Sequence, residues 1–383
     1  MSGEQQVMQT NEAALPRHLK TIQDLREHLQ AAVELEHSTI PPYLCGLYTI
    51  RSGKNVEAAA IIRTVVVQEM LHMILAANVL NAVGGAPSIA YPDFVPSYPA
   101  QLPIGNHHKP LTVNLRKFSP EALETFLAIE SPAPAPMAAA ALLRAPPPVQ
   151  VPPGQLRAMI RNGEIYLSIG DFYAAIETGL KLLEAEAQRS GDTIFTGDPA
   201  RQITRDYYYN SGGDAVPVTD LKSALEALTV IVDQGEGNGD TIDDGDDEFF
   251  MQPSEVAHFY RFNEIKLGRY YQPGDTPSGG PTGATFAVDY GPDAVFDMID
   301  NPKIDLFPDG PVRDRALACA QSYTNLLEGL DRGLNGAPDQ LIDAVVQMFT
   351  LKEAALDLLH NPVPGQEPKC AGPCFEYRQE RAA

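Results

Sequence analysis

Two places in this chain set a carboxylate and an imidazole three residues apart in apolar surroundings. Glu69 and His72 lie in "VVVQEMLHMILAANVL", residues 65–80, and Glu255 and His258 lie in "SEVAHFYRFNEI", residues 254–265. On a helix that spacing puts both side chains on one face. A carboxylate buried without a partner is strongly destabilising, against a total domain stability of only about 5–15 kcal/mol. Each pair therefore needs a partner. A satisfied polar pair in a helical core is the simple reading; a shared metal ion is the other.

The first long segment adds a third carboxylate. In "ELEHSTIPPYL", Glu36 keeps the apolar phase of Leu25, Leu29, Ile40 and Tyr43. Glu34 and His37 also form Glu-x-x-His, but they share a side with Glu27 and Gln30, so they are expected on the solvated surface and not on a metal. Pro41-Pro42 is expected to interrupt the helix one turn beyond Glu36 and open room for a ligand. For a further ligand, Glu236 in "IVDQGEG" follows Leu225, Leu228 and Val232 at core spacing. Asp171 in "SIGDFYAAIETGL" is the alternative, while Glu177 neighbours Lys181 and Glu184 and reads as surface.

The resulting set is Glu36, Glu69, His72, Glu236, Glu255 and His258, with Asp171 as alternative. One Glu from each of two helices plus Glu-x-x-His from each of two others is the dinuclear ligand set of ferritin-like bundles. Four carboxylates offset the charge of two cations. Oxygen-rich ligation with one imidazole per ion suits two iron ions, or manganese or a mixed pair. The spacing differs from the H-E-x-x-H helix of zinc proteases.

Helical periodicity predicts the elements that must position these residues: 19–51, 57–83, 119–130, 155–188, 220–234, 253–270, 311–333 and 338–359. A short strand is expected in "LTVNLRKF" and a strand and turn in "TRDYYYNSGGDAVPV". The low-complexity stretch "SPAPAPMAAAALLRAPPPVQVPPG" reads as a linker, and "GEGNGDTIDDGDDEFF" as an acidic loop. The expected organisation is a disordered N-terminus at 1–18, a metal-binding bundle at 19–270 with inserted loops at 88–154 and 189–219, and a C-terminal helical extension at 271–383 packed on the bundle. The fold class is all-α, a four-helix bundle with long insertions and additional C-terminal helices.

The chain has 383 residues and a formal net charge of −22, which argues against nucleic acid or an anionic membrane as partner. No apolar run approaches eighteen residues, so no membrane span is expected. The four cysteines, Cys45, Cys319, Cys370 and Cys374, show no C-x-x-C zinc spacing. Cys370 and Cys374 are expected as unpaired tail thiols, and a reducing cytoplasm fits best. The expected partners are a small-molecule substrate and, as one option, further copies of the chain.

Six stretches carry a resemblance: "AAVELEHSTIPPYL", "VVVQEMLHMILAANVLNAVGGAP", "SIGDFYAAIETGL", "IVDQGEG", "SEVAHFYRFNEI" and "AGPCFEYR". Together they resemble the ferritin-like domain of iminophenyl-pyruvate dimer synthases, which couple oxidised aromatic amino acids in violacein- and rebeccamycin-type pathways. The resemblance runs from about residue 20 to 378, although those synthases are far longer. It implies the fold and a metal site at Glu36, Glu69, His72, Glu236, Glu255 and His258. It also shows a departure, Asp171 standing where the family pattern has Glu. Two function classes follow. One is an oxidative enzyme that turns dioxygen or peroxide on a small, amino-acid-derived metabolite. The other is a non-catalytic metal-binding or structural bundle.

Overall fold

The computed structural model describes residues 19–104, 110–132, 166–208, 212–237, 241–245 and 255–378. The expected disordered segment 1–18, the Pro-rich linker from residue 133, the helix start at 155–165 and half of the acidic loop lie outside the described residues.

The architecture is all-α. Helices α1 (Ile22–Thr49) and α2 (Val56–Ala82) pack side by side. Helices α3 (Pro120–Ile129), α4 (Ile169–Arg189), α5 (Leu221–Glu236) and α6 (His258–Leu267) complete the bundle, and α7 (Pro311–Leu334) and α8 (Leu341–Leu359) pair against it. A two-stranded antiparallel ribbon, β1 (Ala100–Leu102) with β2 (Leu111–Val113), pairs Gln101 with Thr112.

Local chemistry sets the helix ends. Thr21 and Asp24 form a capping box at the start of α1. Ser168 caps α4 by accepting from the Asp171 amide, and Asp220 with Ser223 caps α5. Gly84 takes a positive φ of 72° just past α2, the conformation that ends helices at low cost for glycine.

Helix α2 is hydrophobic nearly all round because it is the central helix, touching α1, α5, α6 and α7. It is long and apolar enough to cross a membrane by composition, yet 67% of its most apolar window is buried by the rest of the chain.

Three local expectations are corrected. Helix α1 is not interrupted at Pro41-Pro42; it runs through both. Pro42 lacks the N–H that would serve the Ser38 carbonyl, and the Tyr98 hydroxyl donates to it instead at 2.9 Å. The stretch after Thr204 forms turns and irregular loop in its described residues. Its backbone is satisfied by side chains, Asn78 donating to the Val216 carbonyl and Gln202 accepting from the Val218 amide. Glu34 and His37 are buried, not solvated. Glu34 accepts from the Tyr91 hydroxyl, and His37 meets Tyr323 of α7.

Candidate metal centre

The centre is built from five side chains on four elements. Glu36 comes from α1, Glu69 and His72 from one face of α2, Glu130 from the C-cap of α3 and His258 from the first position of α6. All are buried, at most 2% exposed. His258 Nδ1 lies 2.8 Å from Glu69 Oε1 and 3.7 Å from Glu130 Oε2. His72 Nδ1 lies 3.5 Å from Glu36 Oε2 and 3.9 Å from Glu69 Oε1. Glu69 is thus central, and each imidazole faces it together with one outer carboxylate. The two rings stack at 5.3 Å between centroids. Ligand atoms of Glu69, His72 and His258 all fall within 4.8 Å of one another, a grouping that could hold a metal ion.

An outer layer holds these groups in place. Gln234 of α5 sets its amide oxygen 2.9 Å from His72 Nε2 while its amide nitrogen donates to the Gly212 carbonyl at 3.1 Å. The carbonyl fixes which way the amide points, so His72 Nε2 must carry a proton. Gln68 sets its amide oxygen 3.0 Å from His258 Nε2. Both imidazoles therefore turn Nδ1 toward carboxylates. The Tyr173 hydroxyl donates to Glu36 Oε1 at 2.6 Å, the Tyr43 hydroxyl donates to Glu130, and Thr39 donates to Glu69 at 2.8 Å.

Electrostatics mark the site as short of positive charge. Burial, then the charge of Glu130, pushes the Glu69 carboxyl well above the usual range, with Glu36 adding to the rise and His72 opposing it. Burial and the adjoining carboxylates likewise raise the Tyr43 and Tyr173 hydroxyls. Among the described residues, no Lys or Arg forms an ion pair with these three carboxylates. His258 Nδ1 has no hydrogen bond of good geometry despite its 2.8 Å approach to Glu69. Three buried carboxylates facing two imidazoles form a donor set that fits oxygen-preferring cations.

The other sequence-derived candidates sit elsewhere. Glu255 does not share a helical face with His258, because α6 begins only at His258, with Ala257 as its N-cap. Its carboxylate accepts from Arg261 at 2.8 Å, and Arg261 also binds Asp244. Glu236 accepts from the Gly170 amide at 2.6 Å and from the Ser168 hydroxyl, close enough to Glu130 for their charges to oppose. A Cβ on residue 170 would come 2.6 Å from Glu236 Oε2, so any larger residue there would force the carboxylate to shift. Asp171 accepts from the Leu167 amide at 3.1 Å, closing the first turn of α4. Glu130 was not among the sequence candidates. Its signal was phase, for it follows Leu123 by seven and Phe126 by four, the apolar face of α3.

The ferritin-like family model matches residues 29–267, which contain all five residues of the centre. The chain belongs to the ferritin-like family. A curated relative, dichlorochromopyrrolate synthase of Lentzea aerocolonigenes, is 25% identical over 342 residues, 82% of this ferritin-like chain. The chain spans 29% of that relative's length. A crystal structure of a ferritin-like protein from Caulobacter vibrioides shares the fold with a TM-score of 0.55 at 20% identity, over 91% of this chain and 97% of that one.

Proposed function

We propose that this chain is a dinuclear metal protein that oxidises a small, amino-acid-derived metabolite with dioxygen or peroxide. Glu36, Glu69, His72, Glu130 and His258 would hold two ions, iron foremost, or manganese or a mixed pair. The observation that carries the reading is the paired geometry of Glu69, facing the Nδ1 atoms of both His258 and His72. The kinship with a protein named as a synthase supports the catalytic half.

When bound, such ions supply redox capacity toward dioxygen or peroxide. The chain's own groups supply the rest. Gln234 fixes the His72 tautomer, as outer-shell partners of metal ligands do, and Gln68 lies beside His258 Nε2 at the matching place. Tyr173 and Tyr43 hold one oxygen of each outer carboxylate, leaving the second toward the centre. Near-complete burial keeps bulk water away. The four cysteines are free and buried, which suits the reducing cytoplasm assumed for the protein.

Elemental analysis of protein purified without added metal is the first test, with up to two transition-metal ions per chain expected. Glu69→Ala and His258→Ala should lose metal while keeping the helical circular-dichroism spectrum. No metal in the wild type, even after anaerobic iron or manganese loading, would sink the reading. Loaded protein that consumes no dioxygen or peroxide with any aromatic amino-acid-derived substrate would leave the non-catalytic bundle as the better account.

A further inference from the structure

The three carboxylates of the centre divide their oxygens in the same way. Glu36 turns Oε2 toward His72 Nδ1 at 3.5 Å and gives Oε1 to the Tyr173 hydroxyl at 2.6 Å. Glu130 turns Oε2 toward His258 Nδ1 at 3.7 Å and gives Oε1 to the Tyr43 hydroxyl. Glu69 turns Oε1 toward both imidazoles and places Oε2 2.8 Å from the Thr39 hydroxyl. In each case one oxygen faces an imidazole and the other lies against a hydroxyl. Three separate side chains on two helices produce one pattern.

The sequence builds much of this clamp on one helix. Glu36, Thr39 and Tyr43 stand at i, i+3 and i+7 of α1, so a carboxylate and two hydroxyls share one face. Tyr173 reaches in from α4. Both phenols are buried, at most 1% exposed. The Tyr43 ring packs against Phe126 and Phe262, with centroids 4.8 and 5.0 Å away. A phenol packed this way keeps its direction, and its single proton has the carboxylate as acceptor. Thr39 is the weaker clamp, because its one proton is shared with the Glu36 carbonyl at 2.7 Å.

This division limits what the carboxylates can give to an ion. A chelating carboxylate must aim both oxygens at the ion. Turning Oε1 of Glu36 or Glu130 inward would break a charge-assisted hydrogen bond and strand a buried hydroxyl, which opposes chelation by about ten- to hundredfold. The inward set is then five atoms: Glu36 Oε2, Glu69 Oε1, Glu130 Oε2 and the two Nδ1. With Glu69 Oε1 shared, each of two ions meets three of them, and three protein ligands leave positions open on iron or manganese. Resting on the dinuclear reading, we infer that Tyr43 and Tyr173 are positioning residues that hold the outer carboxylates to one oxygen each and so keep both ions open to a small anion, of the class of peroxide.

The test uses the full chain loaded anaerobically with cobalt(II), with azide as the small anion. The infrared spectrum of loaded minus metal-free protein isolates the carboxylates that bind the ions. A carboxylate bound through one oxygen keeps its asymmetric and symmetric stretching bands far apart, and chelation brings them together. The wild type should show the wide spacing, and Tyr43→Phe and Tyr173→Phe should each shift intensity to the narrow one. A merely structural hydroxyl would leave the spacing unchanged. Azide, followed through the visible cobalt(II) bands, should bind the wild type saturably and each variant about tenfold more weakly, because the freed oxygen competes for the open position. The wild-type spectrum needs no variant, so it decides if the phenylalanine variants fail to fold. Narrow spacing in the loaded wild type, no azide binding to it, or variants with wild-type spacing and azide affinity would each overturn the inference and leave the dinuclear reading standing. A chain that takes up no cobalt would overturn that reading, and the inference with it.

Discussion

His258 Nδ1 approaches Glu69 Oε1 to 2.8 Å while its other ring nitrogen lies 3.0 Å from the Gln68 amide oxygen. An imidazole with a proton on Nε2 offers a lone pair at Nδ1, and a lone pair repels a carboxylate oxygen. The contact is stable only with a proton or a metal ion at that point. Burial and the nearby Glu130 charge raise Glu69 well above the usual carboxylate range, so in metal-free protein a proton is held there. Metal and proton then compete for one place. Loading the metal-free protein should release at least one proton, measurable by calorimetry in buffers of different ionisation enthalpy. The sign follows: affinity falls as pH drops, because the raised group holds its proton more fully. Loading that releases no proton would show that Glu69 is already ionised.

Glu130 and Glu255 should behave oppositely when each is changed to glutamine. Glu130→Gln removes a charge facing His258 Nδ1 at 3.7 Å and should weaken or remove one metal with the fold retained. Glu255→Gln removes a partner of Arg261, whose guanidinium is also bound to Asp244. It should cost about 1–3 kcal/mol of stability and leave metal stoichiometry intact. Metal analysis beside thermal unfolding separates the two. Loss of metal in Glu255→Gln and retention in Glu130→Gln would restore the Glu255–His258 pairing that spacing alone suggests.

Those two residues also show what the sequence made legible. The helices could be read because apolar periodicity is strong and local; the expected 311–333 segment is α7, Pro311–Leu334. Glu36, Glu69, His72 and His258 could be read because ionisable groups stood in apolar phase. Glu255 could not, since its spacing to His258 has meaning only within a helix, and Pro253 suggested a helix start five residues ahead of the actual one. Glu130 stood in phase on α3 but had no neighbouring histidine to draw attention. The burial of Glu34 and His37 was not legible at all. Their cover comes partly from α7, with Tyr323 separated from His37 by 286 positions, and local periodicity carries no information about such a contact.

Gln234 is a positioning residue whose effect should appear in the metal and not in the fold. Its amide oxygen binds His72 Nε2 while its nitrogen is committed to the Gly212 carbonyl. Gln234→Met keeps volume and loses both bonds, so the imidazole proton is free to move to Nδ1. Metal affinity should fall roughly 10–100-fold, the usual effect of removing such a partner, measured by competition with a chelator. Nitrogen-15 NMR should show His72 sampling the other tautomer in the variant. An unchanged affinity with an unchanged tautomer would mean that Glu36 and Glu69 orient the ring without help.

Glu236 supplies a pH dependence of stability. Burial raises its carboxyl from 4.5 to about 7, against the opposing hydrogen bonds from Gly170 and Ser168. A carboxyl raised by folding favours the native state while protonated. Its contribution is complete below pH 4.5 and is lost as pH rises through about 7. The full swing is on the order of 3 kcal/mol at most. In metal-depleted protein, urea unfolding between pH 5 and about 8 should therefore show a decline in stability. Glu236→Gln is permanently neutral and can still accept from the Gly170 amide, so its stability should decline less across the same range. Parallel curves for the two proteins would mean that Glu236 is ionised throughout, and that its bonds to the first turn of α4 outweigh its burial.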